Sequence, residues 1–352
     1  MTTAYRPSPA LRLAGAASGA YRSVFAGSRL APLLSRPKPV RRTGFELDLS
    51  IRDIRAEAED VVSVTLADPH GRRLPAWVPG AHLDVVLPSG RQRQYSLCGD
   101  VTDRAVYRIA VRRIRDGHGG SAEVHDGLRV GDALRVRGPR NAFPLIDAAS
   151  YLFIAGGIGI TPILPMVREC HRRGRPWRLV YLGRTRASMP FLAELGEFGG
   201  AVDLRPDTET GPPRIAELLS LADPGAAVYL CGPPPLADGA RGLLTEADPS
   251  ASLHTERFSP LPVAGGEPFR LRLARSGLTV DVAADETALA AVRRALPGVA
   301  YSCRQGFCGT CRTRVLSGEV EHRDRTLTES EREDSVLLCV SRAASPTLTL
   351  DL

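Results

Sequence analysis

The feature that most constrains this chain of 352 residues is a group of four cysteines close to its C-terminal end. They are Cys303, Cys308, Cys311 and Cys339, separated by four, two and 27 residues. Four thiolates can bind one metal centre only if the loop that carries the first three curls tightly around it. Gly306 and Gly309 lie in that loop, and glycine permits the unusual dihedral angles and close backbone approach that such a loop requires. The sequence therefore predicts a metal centre with four cysteine ligands.

The spacing of these cysteines indicates which metal they hold. Intervals of four and then two residues, with a distant fourth cysteine, are typical of plant-type [2Fe–2S] ferredoxins. Zinc is the alternative, but zinc sites favour paired cysteine knuckles. The total of seven cysteines is odd, which does not suit a framework of disulfides, and their clustering indicates metal binding in a reducing compartment. We therefore expect a [2Fe–2S] cluster and a location in the cytoplasm.

Length and composition restrict the rest of the chain. At roughly 100–200 residues per domain, this length predicts two or three domains. Hydrophobic residues make up 43% and charged residues 24%, which excludes a disordered or collagen-like chain. The longest uncharged apolar run, residues 151–167, is interrupted by two glycines and a proline, and it is shorter than the roughly 20 residues of a membrane-spanning helix. We therefore expect a globular protein without a transmembrane segment.

The formal net charge of +7 comes from one end of the chain. Residues 1–45 contain seven arginines, one lysine and no acid, so they carry +8 and the remainder carries −1. A nearly neutral body does not favour nucleic-acid binding. We expect residues 1–43 to form a flexible basic extension without a secretory pattern. A segment that docks on a partner or a membrane, or an organellar transit peptide, is the alternative.

Changes in composition divide the remainder into three domains. Alternating strands separated by glycine and proline predict an antiparallel β-barrel over residues 44–146. Continuous apolar strands alternate with helices over residues 147–257, which predicts an α/β domain with a parallel sheet. A linker rich in proline and glycine, 258–268, leads to a domain of short strands and one helix, 269–352. The clearest expected strands are 45–49, 82–87, 106–111, 151–155, 178–182 and 228–231, and the clearest helices are one that ends near Arg173 and one over 288–295.

Two short motifs in the barrel domain suit an aromatic cofactor that bears a phosphate. Arg93-Gln94-Tyr95-Ser96 ends an expected strand: the arginine suits a phosphate, the tyrosine offers an aromatic face, and the serine can hydrogen-bond a ring nitrogen. Further along the chain, Gly119-Gly120-Ser121 opens a short helix whose free amides favour an anion. Each motif by itself is also compatible with an ordinary strand edge or turn.

A glycine-rich turn marks a candidate nucleotide site in the α/β domain. Gly156-Gly157-Ile158-Gly159-Ile160-Thr161-Pro162 follows a buried strand and precedes a helix, so that the backbone can approach a pyrophosphate at a helix N-terminus. The third glycine of the Rossmann G-x-G-x-x-G pattern is missing, and a true Rossmann fingerprint is therefore not predicted. Cys231-Gly232-Pro233 follows a later strand, and Cys231 alone suits a buried core thiol.

Together, these motifs resemble those of the ferredoxin reductase superfamily. The loop over residues 301–311 is similar to the cluster loop of ferredoxins, and its position behind two other domains resembles the phthalate dioxygenase reductase family. The resemblance covers residues 44–352 and implies a β-grasp fold for the last domain. One departure is Arg304, where many ferredoxins carry an acid. A cation there is expected to make the reduction potential somewhat less negative than the roughly −400 mV of plant-type ferredoxins.

The resemblance also implies a role for each motif. It places Arg93 against the flavin phosphate and Ser96 near flavin N5, and it makes Ser96, Thr161 and Cys231 the expected catalytic residues. The further expected cofactor-binding residues are Tyr95, Ala110, Val111, Arg112, Gly119, Gly120, Ser121, Gly156, Gly157, Gly159, Pro162, Gly232, Pro233 and Phe258, the last of which reaches the flavin in relatives. FMN is preferred to FAD, because residues 140–145 resemble the segment that closes the barrel in FMN-dependent relatives.

The expected pyridine nucleotide is NADH, with NADPH as the alternative. The second strand of the α/β domain is not followed by the acid that would bind a ribose 2′-hydroxyl. Arg184 and Arg186 follow it instead and suit a 2′-phosphate. Reductases of the similar family nevertheless usually take NADH, so the resemblance favours that nucleotide.

A chain with all three sites converts a two-electron transfer into one-electron transfers. Nicotinamide gives up two electrons as a hydride, a [2Fe–2S] cluster accepts one at a time, and a flavin can do both. The resemblance thus implies an NADH-dependent reductase that supplies single electrons to a terminal oxygenase, with a Rieske-type oxygenase favoured. A haem-thiolate monooxygenase as acceptor and a redox-sensing regulatory protein are the alternatives. Away from its partner, we expect a monomer.

Overall fold

The computed structural model describes residues 45–115, 119–259, 263–301, 304–306, 309–324 and 326–352. The predictions for the basic extension 1–43 and for the ligands Cys303 and Cys308 concern residues outside these ranges. Every other predicted site residue is described. No helix within the described ranges is long and apolar enough to cross a membrane.

The first sheet is the predicted antiparallel barrel. Its strands are β1 (Phe45–Ala58), β2 (Val61–Ala67), β3 (Ala81–Val86), β4 (Gln92–Ser96), β5 (Val106–Arg112) and β6 (Ala133–Asn141). They follow the order β4-β3-β6-β1-β2-β5, and every neighbouring pair is antiparallel. A bridge between Leu97 and Ile109 joins the two outer strands and closes the barrel. A short helix α1 (Gly120–Ala122) and a π-helical turn (Glu123–Gly127) lie between β5 and β6.

The second sheet is parallel, as the continuous apolar strands predict. Its strands are β7 (Tyr151–Gly156), β8 (Trp177–Gly183), β9 (Val202–Pro206), β10 (Ala227–Cys231) and β11 (Ser252–Glu256). Its helices are α2 (Ile160–Arg172), α3 (Leu192–Gly196), α4 (Asp207–Thr210), α5 (Ile215–Leu219) and α6 (Pro234–Ala247), with 3₁₀ turns at Gly157–Gly159, Arg186–Ser188 and Gly199–Ala201. The order β11-β10-β7-β8-β9 reverses between β7 and β10, and such a switch point is where open α/β sheets bind ligands.

The third sheet belongs to the C-terminal domain. It consists of β12 (Phe269–Leu273), β13 (Leu278–Val282), β14 (Arg312–Ser317), β16 (Ser335–Leu337) and β18 (Thr347–Leu350), in the order β13-β12-β18-β14-β16. The pair β12·β18 is parallel and the other pairs are antiparallel. A ribbon of β15 (Val320–Glu321) and β17 (Arg342–Ala343), with helices α7 (Ala288–Ala295) and α8 (Glu329–Arg332), completes the domain. The predicted α+β class is confirmed, and the domain boundaries stay predictions.

The apolar core explains how the barrel and the parallel sheet are held together. One continuous cluster contains Val61 and Ala110 of the barrel together with Tyr151 and Phe153 of β7. A second cluster fills the barrel itself, and a third fills the C-terminal domain. Since close-packed interiors resist displacement, the end of the barrel and the face of the parallel sheet are fixed relative to each other.

A carboxylate at the rim of this shared core joins the same two sheets. Glu194 in α3 accepts two hydrogen bonds from Arg108 of β5, at 2.7 and 2.9 Å, and also pairs with Arg168 of α2. The side chains of the two arginines are 18% and 27% exposed, so neither guanidinium is well solvated. Removing the carboxylate therefore leaves two partly buried cations facing each other.

We expect Glu194→Ala to lower the free energy of unfolding by about 2 kcal/mol, because breaking a buried charge network costs more than breaking an exposed pair. The measurement is thermal and denaturant unfolding of the holoprotein. Glu217→Ala is the control: Glu217 pairs with Arg205 and Arg214 at the surface, and its loss should cost less than about 1 kcal/mol. Equal losses in the two variants would show that Glu194 does not join the sheets.

Candidate active site

Two arginines and two glycines meet at one end of β4. A Cβ atom placed on Gly120 would lie 2.6 Å from Nε of Arg93, so that only glycine lets the α1 backbone approach this guanidinium so closely. The guanidinium of Arg91 lies beside Gly119, about as close as an ordinary van der Waals contact. Two cations next to backbone amides form a cradle that fits a phosphate. The predicted residues Arg93, Gly119 and Gly120 are thus brought together, and Arg91 joins them.

The other end of β4 carries a buried polar pair. Ser96 is buried and hydrogen-bonds the carboxyl group of Glu256, the last residue of β11. The second oxygen of that carboxyl, Oε2, is buried and has no hydrogen-bond partner among the described residues. Burial raises the pKa of Glu256 to about 8, and the hydrogen bond from Ser96 offsets only part of this shift. Burial therefore favours the neutral, protonated form of this carboxyl at pH 7.

Cys231 lies directly beside Glu256 on the parallel sheet. The two residues are partners in the register of β10 and β11. Burial raises the pKa of the Cys231 thiol well above its usual range, and the neighbouring Glu256 adds to the shift. Serine, cysteine and a carboxylic acid, all uncharged at pH 7, thus line the place where the barrel meets the parallel sheet.

The glycine-rich turn brings the start of α2 to the same place. A Cβ atom on Gly159 would lie 2.1 Å from the carbonyl oxygen of Cys231, so the turn can pack on β10 only with glycine there. Thr161 is buried and its hydroxyl donates to the carbonyl of Ile158 at 3.0 Å. Tyr181 Oη donates to the carbonyl of Gly157 at 3.2 Å and holds the turn from the next strand.

The remaining predicted residues lie around these points with different exposure. Tyr95 is partly buried against the apolar core of the barrel, and burial raises the pKa of its phenol to about 12. Ala110, Val111 and Arg112 end β5. Gly156 and Pro162 are the first and last residues of the glycine-rich turn, and Gly232 and Pro233 lie against Gly156. The hydroxyl of Ser121 accepts from the amide of Ile114 at 3.0 Å. Phe258 is 48% exposed, which leaves its ring accessible at the surface two residues beyond Glu256.

The cluster loop fits the expected iron–sulfur group in its described part. Cys311 and Cys339 are both buried, and the amide of Leu338 donates to the carbonyl of Cys311 at 3.4 Å, so the two cysteine segments adjoin. Gly306 and Gly309 have φ angles of +79° and +70°, which confirms the predicted need for glycine. The other two predicted ligands, Cys303 and Cys308, lie outside the described residues.

Hydrogen bonds attach the cluster loop to the barrel. Tyr301 and Gln92 are doubly connected: Gln92 Nε2 donates to the Tyr301 carbonyl at 3.2 Å, and Tyr301 Oη donates to the Gln92 carbonyl at 3.0 Å. Arg140 of β6 donates to Thr310 Oγ1 at 3.1 Å. Gln92 precedes Arg93, and Thr310 precedes Cys311, so the loop lies against the strand that carries the phosphate cradle.

Three residues of this arrangement were not predicted from the sequence. Glu256 lies two residues before the predicted Phe258, and it reaches the site because it pairs with Cys231 in the sheet. Arg91 and Gln92 directly precede the predicted Arg93. A charged or polar residue next to a recognised motif was the only local signal for either of them.

The fold and these sites define a class: electron-transfer oxidoreductases that join a flavin barrel and a nucleotide-binding sheet to a ferredoxin domain. The 2Fe-2S iron-sulfur cluster binding domain family matches residues 271–344. Phthalate dioxygenase reductase of Burkholderia cepacia is 40% identical over 87% of this chain and 97% of its own length. The chain belongs to the phthalate dioxygenase reductase family, as the motifs predicted.

Solved structures agree with this assignment. A phthalate dioxygenase reductase, described as a modular structure for electron transfer from pyridine nucleotides to [2Fe–2S], matches with a TM-score of 0.67 and 39% identity over 88% of this chain and 98% of that one. An intact type IV self-sufficient cytochrome P450 monooxygenase matches with a TM-score of 0.70 and 40% identity over 91% of this chain. This chain spans 43% of that longer protein.

We expect Glu256→Gln to remove a pH dependence of stability. In the unfolded chain this carboxyl ionises near pH 4.5, whereas in the folded protein it stays protonated up to about pH 8. Between these values the unfolded state has released a proton that the folded state retains, so the free energy of unfolding falls as the pH rises, by up to about 4 kcal/mol from pH 5 to pH 8. Glutamine cannot titrate and removes this fall.

The measurement is the melting temperature of both proteins at pH 5 and pH 8. The melting temperature of Glu256→Gln, relative to that of the wild type, should be higher at pH 8 than at pH 5. Glu217→Gln, at an exposed carboxylate, should follow the wild type at both pH values. If Glu256→Gln also follows the wild type, Glu256 is ionised in the folded protein and the assignment of a neutral acid is wrong.

Proposed function

We propose that this protein is the reductase component of a multicomponent oxygenase, which oxidises NADH and delivers electrons singly to a terminal oxygenase. The observation that carries the proposal is that one chain of this family places the phosphate cradle and the cluster loop along β4, and the end of that strand beside the sheet that carries the glycine-rich turn. Ser96 at the end of β4 bonds Glu256, which pairs with Cys231, the residue on which the turn packs. Bound flavin supplies the step from two electrons to one. The proposed domains are those expected from the sequence, 44–146, 147–257 and 269–352.

FMN is the proposed flavin, and its phosphate is held at the cradle. Arg93 and Arg91 supply two guanidinium groups, and the close approach of Gly120 to Arg93 supports this assignment. A single terminal phosphate satisfies two guanidinium groups by charge-assisted hydrogen bonds. Tyr95 and the strand end formed by Ala110, Val111 and Arg112 are proposed to border the flavin ring.

Ser96, Glu256 and Cys231 are proposed to position the reacting ring systems. Hydride transfer between stacked rings needs no acid–base pair, so the chain contributes orientation and the exclusion of water. The protonated carboxyl of Glu256 can donate to the oxygen of Ser96, and the serine O–H can then donate to a flavin ring nitrogen. The unpartnered Oε2 of Glu256 suits a hydrogen bond to the nicotinamide carboxamide, and Thr161 and the glycine-rich turn suit the rest of the nucleotide.

The four cysteines, Cys303, Cys308, Cys311 and Cys339, are proposed to hold the [2Fe–2S] cluster. The family match over residues 271–344 and the buried pair Cys311 and Cys339 support this set. The two hydrogen bonds between Tyr301 and Gln92 provide a short connection from the cluster loop to β4, the strand that carries Arg93.

A Rieske-type oxygenase is the proposed acceptor, in keeping with relatives that serve phthalate dioxygenase. A haem-thiolate monooxygenase is the second candidate, because the self-sufficient cytochrome P450 monooxygenase includes a region 40% identical to this chain. We propose a cytoplasmic location and a monomer when the partner is absent.

We expect Cys308→Ser to abolish the transfer of electrons to cytochrome c while NADH-dependent reduction of ferricyanide continues. Ferricyanide can take electrons from the flavin directly, whereas a one-electron protein acceptor requires the cluster. The assay follows both acceptors at saturating NADH, and wild-type turnover should be on the order of 10 per second. Absorption spectra should lose the iron–sulfur bands and keep those of the flavin, with FMN released on denaturation.

Cys170→Ser is the matched control, since Cys170 is a buried thiol on α2 outside the cluster loop. It should keep both activities and both sets of bands. Loss of both activities in Cys308→Ser alone would show that the cluster is structural. A wild type that turns over slowly, yet binds a partner only with its cluster intact, would instead indicate a redox sensor.

A further inference from the structure

No acid follows β8 in the sequence, although NADH-binding βαβ units usually place one there to accept a hydrogen bond from the ribose 2′-hydroxyl. Gly183 is the last residue of β8, and Arg184 and Arg186 follow it. A guanidinium at this position usually accommodates the 2′-phosphate of NADPH. Taken by itself, the sequence after β8 therefore contradicts the proposed use of NADH.

The fold supplies a carboxylate from the next strand. β8 and β9 are parallel neighbours with Gly183 opposite Pro206, so the residues that follow each strand emerge side by side. The amide of Thr208 donates to the carbonyl of Arg184 at 3.2 Å, which ties the start of α4 to the segment after β8. Glu209 lies one residue further along α4. It thus adjoins the end of β8 although 25 residues lie between it and Gly183 along the chain.

The carboxylate of Glu209 forms an ion pair with the guanidinium of Arg186. Nε of Arg186 donates to Oε1 of Glu209 at 2.8 Å, and Nη2 donates to Oε2 at 2.9 Å, which is the two-pronged geometry of a strong arginine–carboxylate pair. Both side chains are about half exposed, at 52% and 45%, so a nucleotide in solution can reach them.

We propose that Glu209 sets the preference of this reductase for NADH over NADPH, an inference that rests on the proposed function. A carboxylate oxygen bound to Arg186 keeps a second lone pair that can accept from a ribose 2′-hydroxyl. A 2′-phosphate brings two negative charges to the same place, meets the carboxylate, and finds Nε and Nη2 of Arg186 already bonded to Glu209. Discrimination thus comes from repulsion of the wrong nucleotide as well as attraction of the right one.

The pair is suited to a test by substitution. An ion pair at the surface contributes little to folding stability, so the carboxylate can be removed without unfolding the domain. In Glu209→Gln the amide keeps the shape of the side chain, removes its charge and releases Arg186. The freed guanidinium then becomes a donor for a 2′-phosphate.

The experiment compares wild type and Glu209→Gln as holoenzymes by ferricyanide reduction with NADH and with NADPH. The ratio of kcat/KM for NADPH to that for NADH should rise at least about tenfold, the size expected for one hydrogen bond to a charged group. The affinity for 2′,5′-ADP, measured by calorimetry without turnover, should rise by a similar factor, and the affinity for 5′-AMP should not rise. The double variant Glu209→Gln with Arg186→Ala should lose most of both gains and keep only the part that comes from removing the negative charge of Glu209.

Glu217→Gln is the control, because Glu217 is an equally exposed carboxylate that pairs with Arg205 and Arg214 in the same domain. It should leave unchanged the ratio of kcat/KM for NADPH to that for NADH. The affinities for 2′,5′-ADP and 5′-AMP should also stay the same. An unchanged ratio and an unchanged affinity for 2′,5′-ADP in Glu209→Gln would overturn the role of Glu209 while leaving the reductase function intact. A wild type that accepts electrons from neither nucleotide would overturn the proposed function itself.

Discussion

The apolar core shared by the barrel and the parallel sheet is the constraint on which the rest of the protein depends. Val61 and Ala110 of the barrel pack in one cluster with Phe153 of β7, so that the two sheets behave as one packed body. This packing brings the end of β4 to the switch point of the parallel sheet. Ser96 and Cys231 can then border the same small space, although they come from different domains. A reaction between two stacked rings tolerates little error in position, and a common close-packed core limits such error more strictly than surface contacts can.

The ferredoxin domain is attached in a different way. Its core is separate from that of the barrel, and its cluster loop meets the barrel through hydrogen bonds such as those between Tyr301 and Gln92. Electron transfer depends less on exact orientation than hydride transfer does, so a polar contact is sufficient. Polar interfaces between domains are also easier to open than apolar ones. The arrangement therefore combines a fixed site for the two-electron step with a less tightly fixed site for the one-electron step.

The sequence predicted the fold well wherever the signal is local. β7 covers Tyr151–Gly156, close to the limits expected from an unbroken apolar run, and α7 covers Ala288–Ala295 as predicted. The site was predictable as far as motifs reach, because glycines and cysteines at fixed spacing carry their meaning within a few residues. Contacts between distant segments carried no such signal. Glu256 owes its burial to strand pairing with β10 and to Ser96, and the contact of Gln92 with Tyr301 joins residues 209 apart.

The charge state of the buried groups follows from the same packing. Desolvation keeps Glu256 protonated up to about pH 8 and keeps the Cys231 thiol neutral, so neither of these two side chains is ionised beside the place proposed for the nicotinamide. The oxidised nicotinamide ring is cationic and the reduced ring is neutral. An ionised carboxylate there would favour the oxidised ring and hold it after the hydride has left, whereas a neutral acid offers a hydrogen bond without that bias. The reductase must release its oxidised nucleotide in every turnover. A buried, neutral acid at this place suits that requirement better than an exposed, ionised carboxylate.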